Sequence, residues 1–431
     1  MRTSARVKIW GMKVGIIVWD STNGYASFQY DKNFSRTGLQ LSPFKLQSNP
    51  YEENKTFTFG NVKFKNETFK ELPGLLADSL PDKYGNALIS AWLTKRGLPS
   101  ESFNPVQMLC FIGNRGMGAL EFEPDSSPYN NKSSEIEISS LIKMASDILS
   151  ERKKFRSKLS AHDQKSMMDI IRIGTSAGGA RAKAIIAYNP KTHEVRSGQT
   201  DAPIGFSHWI IKFDGISADK IMPSQGYGRV EMAYYRMAQD VGIEMTECRL
   251  FKENGRSHFM TKRFDRVGNN KIHTQSFCAL RHFNFNDVLS YSYEQLFETM
   301  RFLKLPYPQF EQMYRRMVFN VVGMNCDDHT KNFSFLMDTD GRWKLSPAFD
   351  ISFAYREGSK WVNQHALSVN GKRYNIDRCD LLEVAKIINL KNAVEIIDEI
   401  SKVIGNWNEY ANKEKVRPSL RNAIDEHLMI L

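Results

Sequence analysis

Three oxygen-bearing side chains at fixed intervals carry the clearest chemistry in this chain. Asp327 and Asn332 stand in the relation Asp-x-x-x-x-Asn inside the polar run DDHTKN (327–332), and Asp350 follows 23 residues after Asp327. Carboxylate and amide oxygens are ligands magnesium prefers, with water and nucleotide phosphates completing its shell. In phosphoryl transfer the first residue of such a pair accepts a hydroxyl proton, and the Asn and a second Asp hold metal. Asp327 is therefore the candidate base, and Asn332 and Asp350 are the candidate metal ligands. Spacing alone leaves a structural reading open, in which Asp327 caps a turn, Asn332 closes it and Asp350 is a surface charge. Asp328, the adjacent carboxylate, is expected to point away from the site.

Two other stretches suit phosphate. Residues 170–188, IIRIGTSAGGARAKAIIAY, read as a strand, a glycine-rich turn and a second strand. Gly174, Gly178 and Gly179 allow positive φ and a close approach of backbone amides to phosphate oxygens, although a plain hairpin fits equally well. About 30 residues on, the apolar strand HWIIKFDG (208–215) is interrupted by Lys212. A lone lysine there is either an edge-strand gatekeeper or a phosphate ligand.

The elements that must position these residues are short and mixed. RVKIWG, KVGIIVWD and YASFQYD (6–31) read as a β-meander turning at Thr22-Asn23-Gly24. FKELPGLLADSLPDKYGNALISAWL then changes to loop and helix, with Leu76, Leu80, Tyr84, Leu88 and Trp92 as an apolar stripe. Residues 125–134, rich in serine and asparagine around Pro128, are the linker candidate, and Ser139 or Ser140 can cap the helix that follows. From about 285 the pattern is helical up to the polar run. FSFLM, the DTDG turn and RWKLSP then form a hairpin whose exit carries Asp350.

The bulk of the chain narrows the possibilities. Its 431 residues suffice for two or three domains, and 41% hydrophobic with 25% charged residues is ordinary globular composition. No apolar run reaches the roughly 18 residues a spanning helix needs, so no membrane role is expected. Five scattered cysteines with no C-x-x-C pair point to a reducing cytoplasm and away from disulfide or thiolate–zinc scaffolds. The net charge of +11 is compatible with an acidic partner, but no DNA-reading motif accompanies it.

Taken with their neighbours, the chemistry-bearing residues resemble the HipA family, bacterial serine/threonine kinases of toxin–antitoxin systems. The family's Asp-x-His-x-Lys-Asn-Phe-Ser loop is matched by Asp327, His329, Lys331, Asn332, Phe333 and Ser334. Its Leu-x-Pro-x-Tyr/Phe-Asp segment is matched by Leu345, Pro347, Phe349 and Asp350. Ser176, Gly179, Ala180 and Lys183 fit its Ser-x-x-Gly-Ala-x-x-Lys turn, and Lys212 fits its Ile-Ile-Lys strand. The segment KRFDR resembles its hinge, with Lys262 where the family often has Glu.

The resemblance spans nearly the whole chain. It implies an α+β, two-lobed protein-kinase-like fold, with a β-rich N-lobe (126–285), a helical C-lobe (286–431) and an added β-rich N-terminal subdomain (1–125). The implied activity is transfer of the ATP γ-phosphate to a protein serine or threonine with Mg2+, in a growth-inhibiting toxin. ATP would be held by Gly178, Gly179, Ala180, Arg181, Ala182 and Lys183 of the turn, by Lys212, by Lys262, Arg263 and Phe264 of the hinge, and by His329 and Lys331. Ser176 would be an autophosphorylation site. The implied partner is a HipB-like helix-turn-helix antitoxin, with a DNA-bound complex possible through it. The family's best-known protein substrate is an aminoacyl-tRNA synthetase. Two other readings stay open: a phosphotransferase with a non-protein acceptor, and a non-catalytic corepressor bound to a DNA-binding antitoxin.

Overall fold

Alternating burial along the first thirty residues builds the meander expected there. β1 (Ser4–Ile9), β2 (Met12–Asp20) and β3 (Tyr25–Tyr30) pair antiparallel, and the tip closes where Asp20 accepts the Thr22 and Asn23 amides. β4 (Thr56–Thr58) and β5 (Leu120–Glu123) complete a sheet of order β4-β3-β2-β1-β5. The structure, a computed structural model, describes residues 4–52, 54–60, 68–99, 102–126, 134–171, 174, 182–199, 201–215 and 226–431. Most of the linker candidate, together with Ser176, Gly178, Gly179, Ala180 and Arg181, lies outside the described residues.

The chain forms two compact units. The first comprises Met1–Gln225, Phe251–Thr274 and Asp338–Gly341; the second comprises Gly226–Leu250, Gln275–Met337 and Arg342–Leu431. β6 (Lys183–Tyr188), β7 (Val195–Ser197), β8 (Ser207–Lys212), β9 (Cys248–Glu253) and β10 (Arg256–Lys262) make a sheet of order β7-β6-β8-β10-β9. Ala184, Ile186, Tyr188, Trp209, Ile211 and Met260 bury one face of it in a core shared with Tyr84, Leu88 and Trp92. Those three lie on the helix Lys83–Lys95, capped by Asp82, which accepts the Tyr84 and Gly85 amides.

Two local expectations are corrected here. Residues 168–171 are helical and do not form a strand. Ile170 and Ile171 are fully buried in the same core, and a short apolar run does not itself distinguish a buried strand from a buried helical turn. The helix Ile138–Ser150 starts before either proposed cap, and the Ser139 and Ser140 hydroxyls both donate to Glu137.

The second unit is mainly helical. Tyr293–Phe302 opens with a capping box between Ser292 and Gln295, Tyr307–Val322 is buried along most of its length, and Arg378–Ile387, Ala393–Gly405, Trp407–Lys413 and Pro418–Asp425 follow. After Tyr307–Val322 comes the expected hairpin of Ser334–Met337 and Trp343–Leu345, in antiparallel register Phe335↔Leu345. Among the described residues no helix is long and apolar enough to cross a membrane.

Within the first unit, a buried charge cluster fastens the hinge segment to the N-terminal part. The Asp265 carboxylate, with no exposed surface, accepts Arg263 Nε at 2.8 Å and Nη2 at 2.7 Å, Arg266 Nη1 at 2.7 Å and the Gly118 amide at 2.7 Å. Burial opposes its charge, but the two guanidiniums and the amide hold it well below the usual carboxylate range. Arg266 also donates to the carbonyls of Gly116 and Gly118. Gly118 has φ +75°, and a Cβ there would come within 2.9 Å of Thr274, so only glycine fits this turn. Breaking a buried charge pair from one side costs about 3–5 kcal/mol. Asp265→Ala should therefore lower the unfolding free energy by about that amount, or abolish soluble expression. Chemical denaturation checks this, and a loss below about 1 kcal/mol would show that the cluster is dispensable.

Candidate functional site

The polar run lies where the helix Tyr307–Val322 ends. Met324 takes a left-handed φ of 51°, and Asn325 begins the loop. Cys326 donates its amide to the Ala354 carbonyl, and Ala354 donates to Met324, so the loop and the segment after Asp350 are laced together. Asp327 keeps half of its side chain exposed, and His329 Nε2 lies 3.8 Å from its Oδ1. A single 3-10 turn, Thr330–Asn332, brings the Asn332 amide back to donate to the Asp327 carbonyl at 2.7 Å. Lys331 Nζ sits 4.1 Å from the centre of the Phe285 ring. Asp350 adopts a φ of 53°, a left-handed conformation rare for residues other than glycine and often found at functional sites. Asn332 and Asp350 line one small cavity. The structure thus brings together Asp327, His329, Asn332 and Asp350.

Asp328 turns inward, as expected of a carboxylate pointing away from the site, but it is far from idle. It is 1% exposed and accepts three hydrogen bonds: from Tyr293 Oη at 2.8 Å, the Ala366 amide at 2.7 Å and His365 Nδ1 at 3.1 Å. The chain of bonds continues from Asn320 Nδ2 to Tyr293 Oη and from Asn325 Nδ2 to Asn320 Oδ1. Burial alone would push the His365 pKa down, but the charge and hydrogen bond of Asp328 outweigh it and raise the value to about 10.

In the first unit, the candidate phosphate lysines meet on one sheet face. Lys183 on β6 and Lys212 on β8 are directly opposed in antiparallel register. Side chains alternate along a strand, so both lie on the face opposite Ala184, Ile211 and the core. Like charges directly across a ladder are unfavourable; Lys183 is buried there and Lys212 half-buried, and both interact with other groups of the protein. Ala182 is buried immediately before Lys183. Of the hinge residues, Lys262 is exposed at the end of β10 and Phe264 is half-buried. The Arg263 side chain is committed to Asp265, and its amide donates to the His208 carbonyl. Neither group is therefore open to a nucleotide.

With this geometry in view, two family patterns cover most of the sequence. The pattern of the HipA-like C-terminal domain matches residues 175–407, and that of the HipA N-terminal domain matches residues 5–123. The chain belongs to the HipA family. Its fold, helices combined with antiparallel sheets, is that of a HipA of known structure. The HipA from the Shewanella oneidensis toxin–antitoxin complex of HipA, HipB and operator DNA superposes with a TM-score of 0.67 at 17% identity, covering 98% of this chain and 94% of that one. The Sinorhizobium fredii protein Y4mE, a kinase by name only, is 26% identical over 126 residues. That match takes in 27% of this HipA-family chain and only 30% of Y4mE.

Sequence reasoning missed the residues beneath the loop: Tyr293, Asn320, His365 and the inward role of Asp328. A faint signal was present in the paired Asp327 and Asp328, since two adjacent carboxylates seldom share one environment. A histidine followed directly by the apolar Ala366 and Leu367 was another. Because His365 binds its proton more tightly when folded, its contribution to stability is full below its ordinary value of 6.5 and is lost as pH rises toward about 10. The melting temperature of His365→Asn should thus fall furthest below wild type near pH 6, with the gap narrowing as pH approaches 10. A gap that is constant or widens over that range would remove the charged pair from the account.

Proposed function

We propose that this HipA-family chain is an ATP- and Mg2+-dependent serine/threonine protein kinase. The observation that carries the reading is the division of labour between two adjacent carboxylates. Asp328 is buried and fully engaged, while Asp327 projects half-exposed from the loop that Asp328 anchors. A fixed backbone with one accessible carboxylate is what a general base requires. The donor set also suits magnesium. Asn332 and Asp350 offer an amide and a carboxylate oxygen on the wall of one small cavity. Such a site leaves ligand positions to water and phosphates.

When bound, the magnesium nucleotide supplies the γ-phosphoryl group and neutralises the charge on its oxygens. Asp327 takes the acceptor hydroxyl proton on its carboxylate as the hydroxyl oxygen bonds to the γ-phosphorus. The bond from that phosphorus to the β–γ bridging oxygen breaks, and ADP leaves. Lys183 and Lys212 hold phosphate charge from the strand face, while Asn332 and Asp350 orient the metal. Phe264 lines the adenine site, Gly178, Gly179, Ala180, Arg181 and Ala182 are phosphate contacts in this reading, and Lys262, His329 and Lys331 are further nucleotide contacts. Ser176 is the autophosphorylation site. A phosphate there adds about −1.5 to −2 of charge beside a site built for the phosphates of ATP, so self-modification switches the enzyme off. Likeness to a HipA solved with HipB and operator DNA supports a HipB-like antitoxin as partner. The acceptor in this reading is a protein, such as an aminoacyl-tRNA synthetase, and the role is growth inhibition.

Asp327→Asn should cut transfer of labelled γ-phosphate by roughly 100-fold or more while nucleotide binding persists. Asp350→Ala and Asn332→Ala should raise the magnesium concentration required, whereas Lys212→Ala should chiefly weaken nucleotide binding. Equal magnesium dependence in all three would contradict this assignment. Mass spectrometry after incubation with ATP and magnesium should find phosphate on Ser176 and not on Thr175. Unmodified Ser176, or a phosphorylated form that binds ATP undiminished, would overturn the regulatory part.

A further inference from the structure

Beneath the metal-binding pair lies a buried cation that the proposed chemistry does not use. Arg316, on the helix Tyr307–Val322, is 3% exposed. Its Nε and Nη2 have no hydrogen-bond partner among the described protein atoms. Burial pushes its pKa down to about 9, with Glu244 opposing the shift, so it is still charged at neutral pH. Nε–H and Nη2–H are parallel donors on one edge of the guanidinium plane, a fork that converges on a single acceptor. Arg316 lines a cavity of about 10 Å3 together with Asn320, Asn325, Asp328, Asn332 and Asp350.

The same cavity wall holds a complementary orphan. Asn325 Oδ1 is buried without a donor, although Asn325 Nδ2 donates to Asn320 Oδ1 at 2.9 Å and reaches the Asp350 carbonyl at 3.5 Å. Two unmatched donors and one unmatched acceptor around a space of about one probe sphere match the hydrogen-bonding capacity of a single water. The water oxygen accepts the fork, one hydrogen goes to Asn325 Oδ1, and the other faces the wall formed by Asn332 and Asp350.

We propose that Arg316 is a positioning residue for Asn332 and Asp350, acting through one buried water held between its Nε/Nη2 fork and Asn325. This rests on the reading of Asn332 and Asp350 as metal ligands. Asp350 occupies a backbone conformation that its surroundings must enforce, and the bridge links its carbonyl, through Asn325, to a rigid helix. The role belongs to the shape of the fork as well as to its charge, so lysine cannot replace it.

The test is Mn2+ titration of the full-length protein with a non-hydrolysable ATP analogue, followed by electron paramagnetic resonance, on wild type, Arg316→Lys, Arg316→Met and Asp350→Ala. Outer-shell partners of metal ligands typically contribute 10–100-fold in affinity, and both Arg316 variants should weaken Mn2+ binding by about that factor while still melting cooperatively. Wild-type Mn2+ affinity in Arg316→Lys, alongside impaired Asp350→Ala, overturns the positioning role and leaves the metal site standing. Undiminished binding by Asp350→Ala instead removes the metal reading itself. Should the Arg316 variants fail to fold, a high-resolution crystal structure of the wild type decides. A water within about 3.2 Å of both the fork and Asn325 Oδ1 is expected, and a dry cavity refutes the bridge.

Discussion

The candidate site depends on the buried carboxylate of Asp328. A carboxylate removed from water is costly unless its lone pairs are met, and here a tyrosine hydroxyl, an imidazolium and a backbone amide meet them. Those three donors come from two places in the second unit: the helix Tyr293–Phe302 and the adjacent residues His365 and Ala366. The loop carrying Asp327 therefore has a definite position because its neighbour is tied on several sides. The extension of the network through Asn320 and Asn325 ties the end of the helix Tyr307–Val322 and the Asp350 carbonyl into the same set of bonds. Adjacent residues thus play opposite parts, one fixing the backbone and one meeting solvent.

The first unit answers with a different economy of charge. Its central sheet buries Ala184, Ile186, Trp209 and Ile211 on one side, and Lys183 and Lys212 share the other, where Lys183, Ile185 and Ala187 are buried as well. Two lysines across a ladder bring no stability of their own, and the strong core on the reverse face is what lets the sheet carry them.

How much of this was legible in sequence follows from the range of the forces involved. The meander, the hairpin after the loop and the lysine strand were legible because alternation and turn residues act locally, within a few positions. Asp327, Asn332 and Asp350 could be singled out from spacing together with the family resemblance, and the structure ties Asn332 to the Asp327 carbonyl and sets Asn332 and Asp350 on one cavity wall. The helical turn at 168–171 was misread because Ile170 and Ile171 are buried all round, and a fully apolar run carries no period. Tyr293, Asn320 and His365 converge on Asp328 from separations of 35, 8 and 37 residues, and no local pattern encodes such a meeting. Arg263 shows the reverse: a motif position that resemblance assigned to nucleotide spends its side chain on Asp265.

The cluster around Asp265 also bears on how such a chain can be inherited. The two family patterns, over 5–123 and 175–407, are separable as text. Yet the amide that completes the Asp265 shell belongs to Gly118, and the carbonyls that occupy Arg266 belong to Gly116 and Gly118. A gene split between the two patterns parts these donors from their acceptors. A replacement N-terminal module drawn from elsewhere has to bring a loop with glycine at the same place and its carbonyls turned the same way. The larger module thus carries, in its hinge, the imprint of one particular neighbour, and the pair is bound to recombine as a unit.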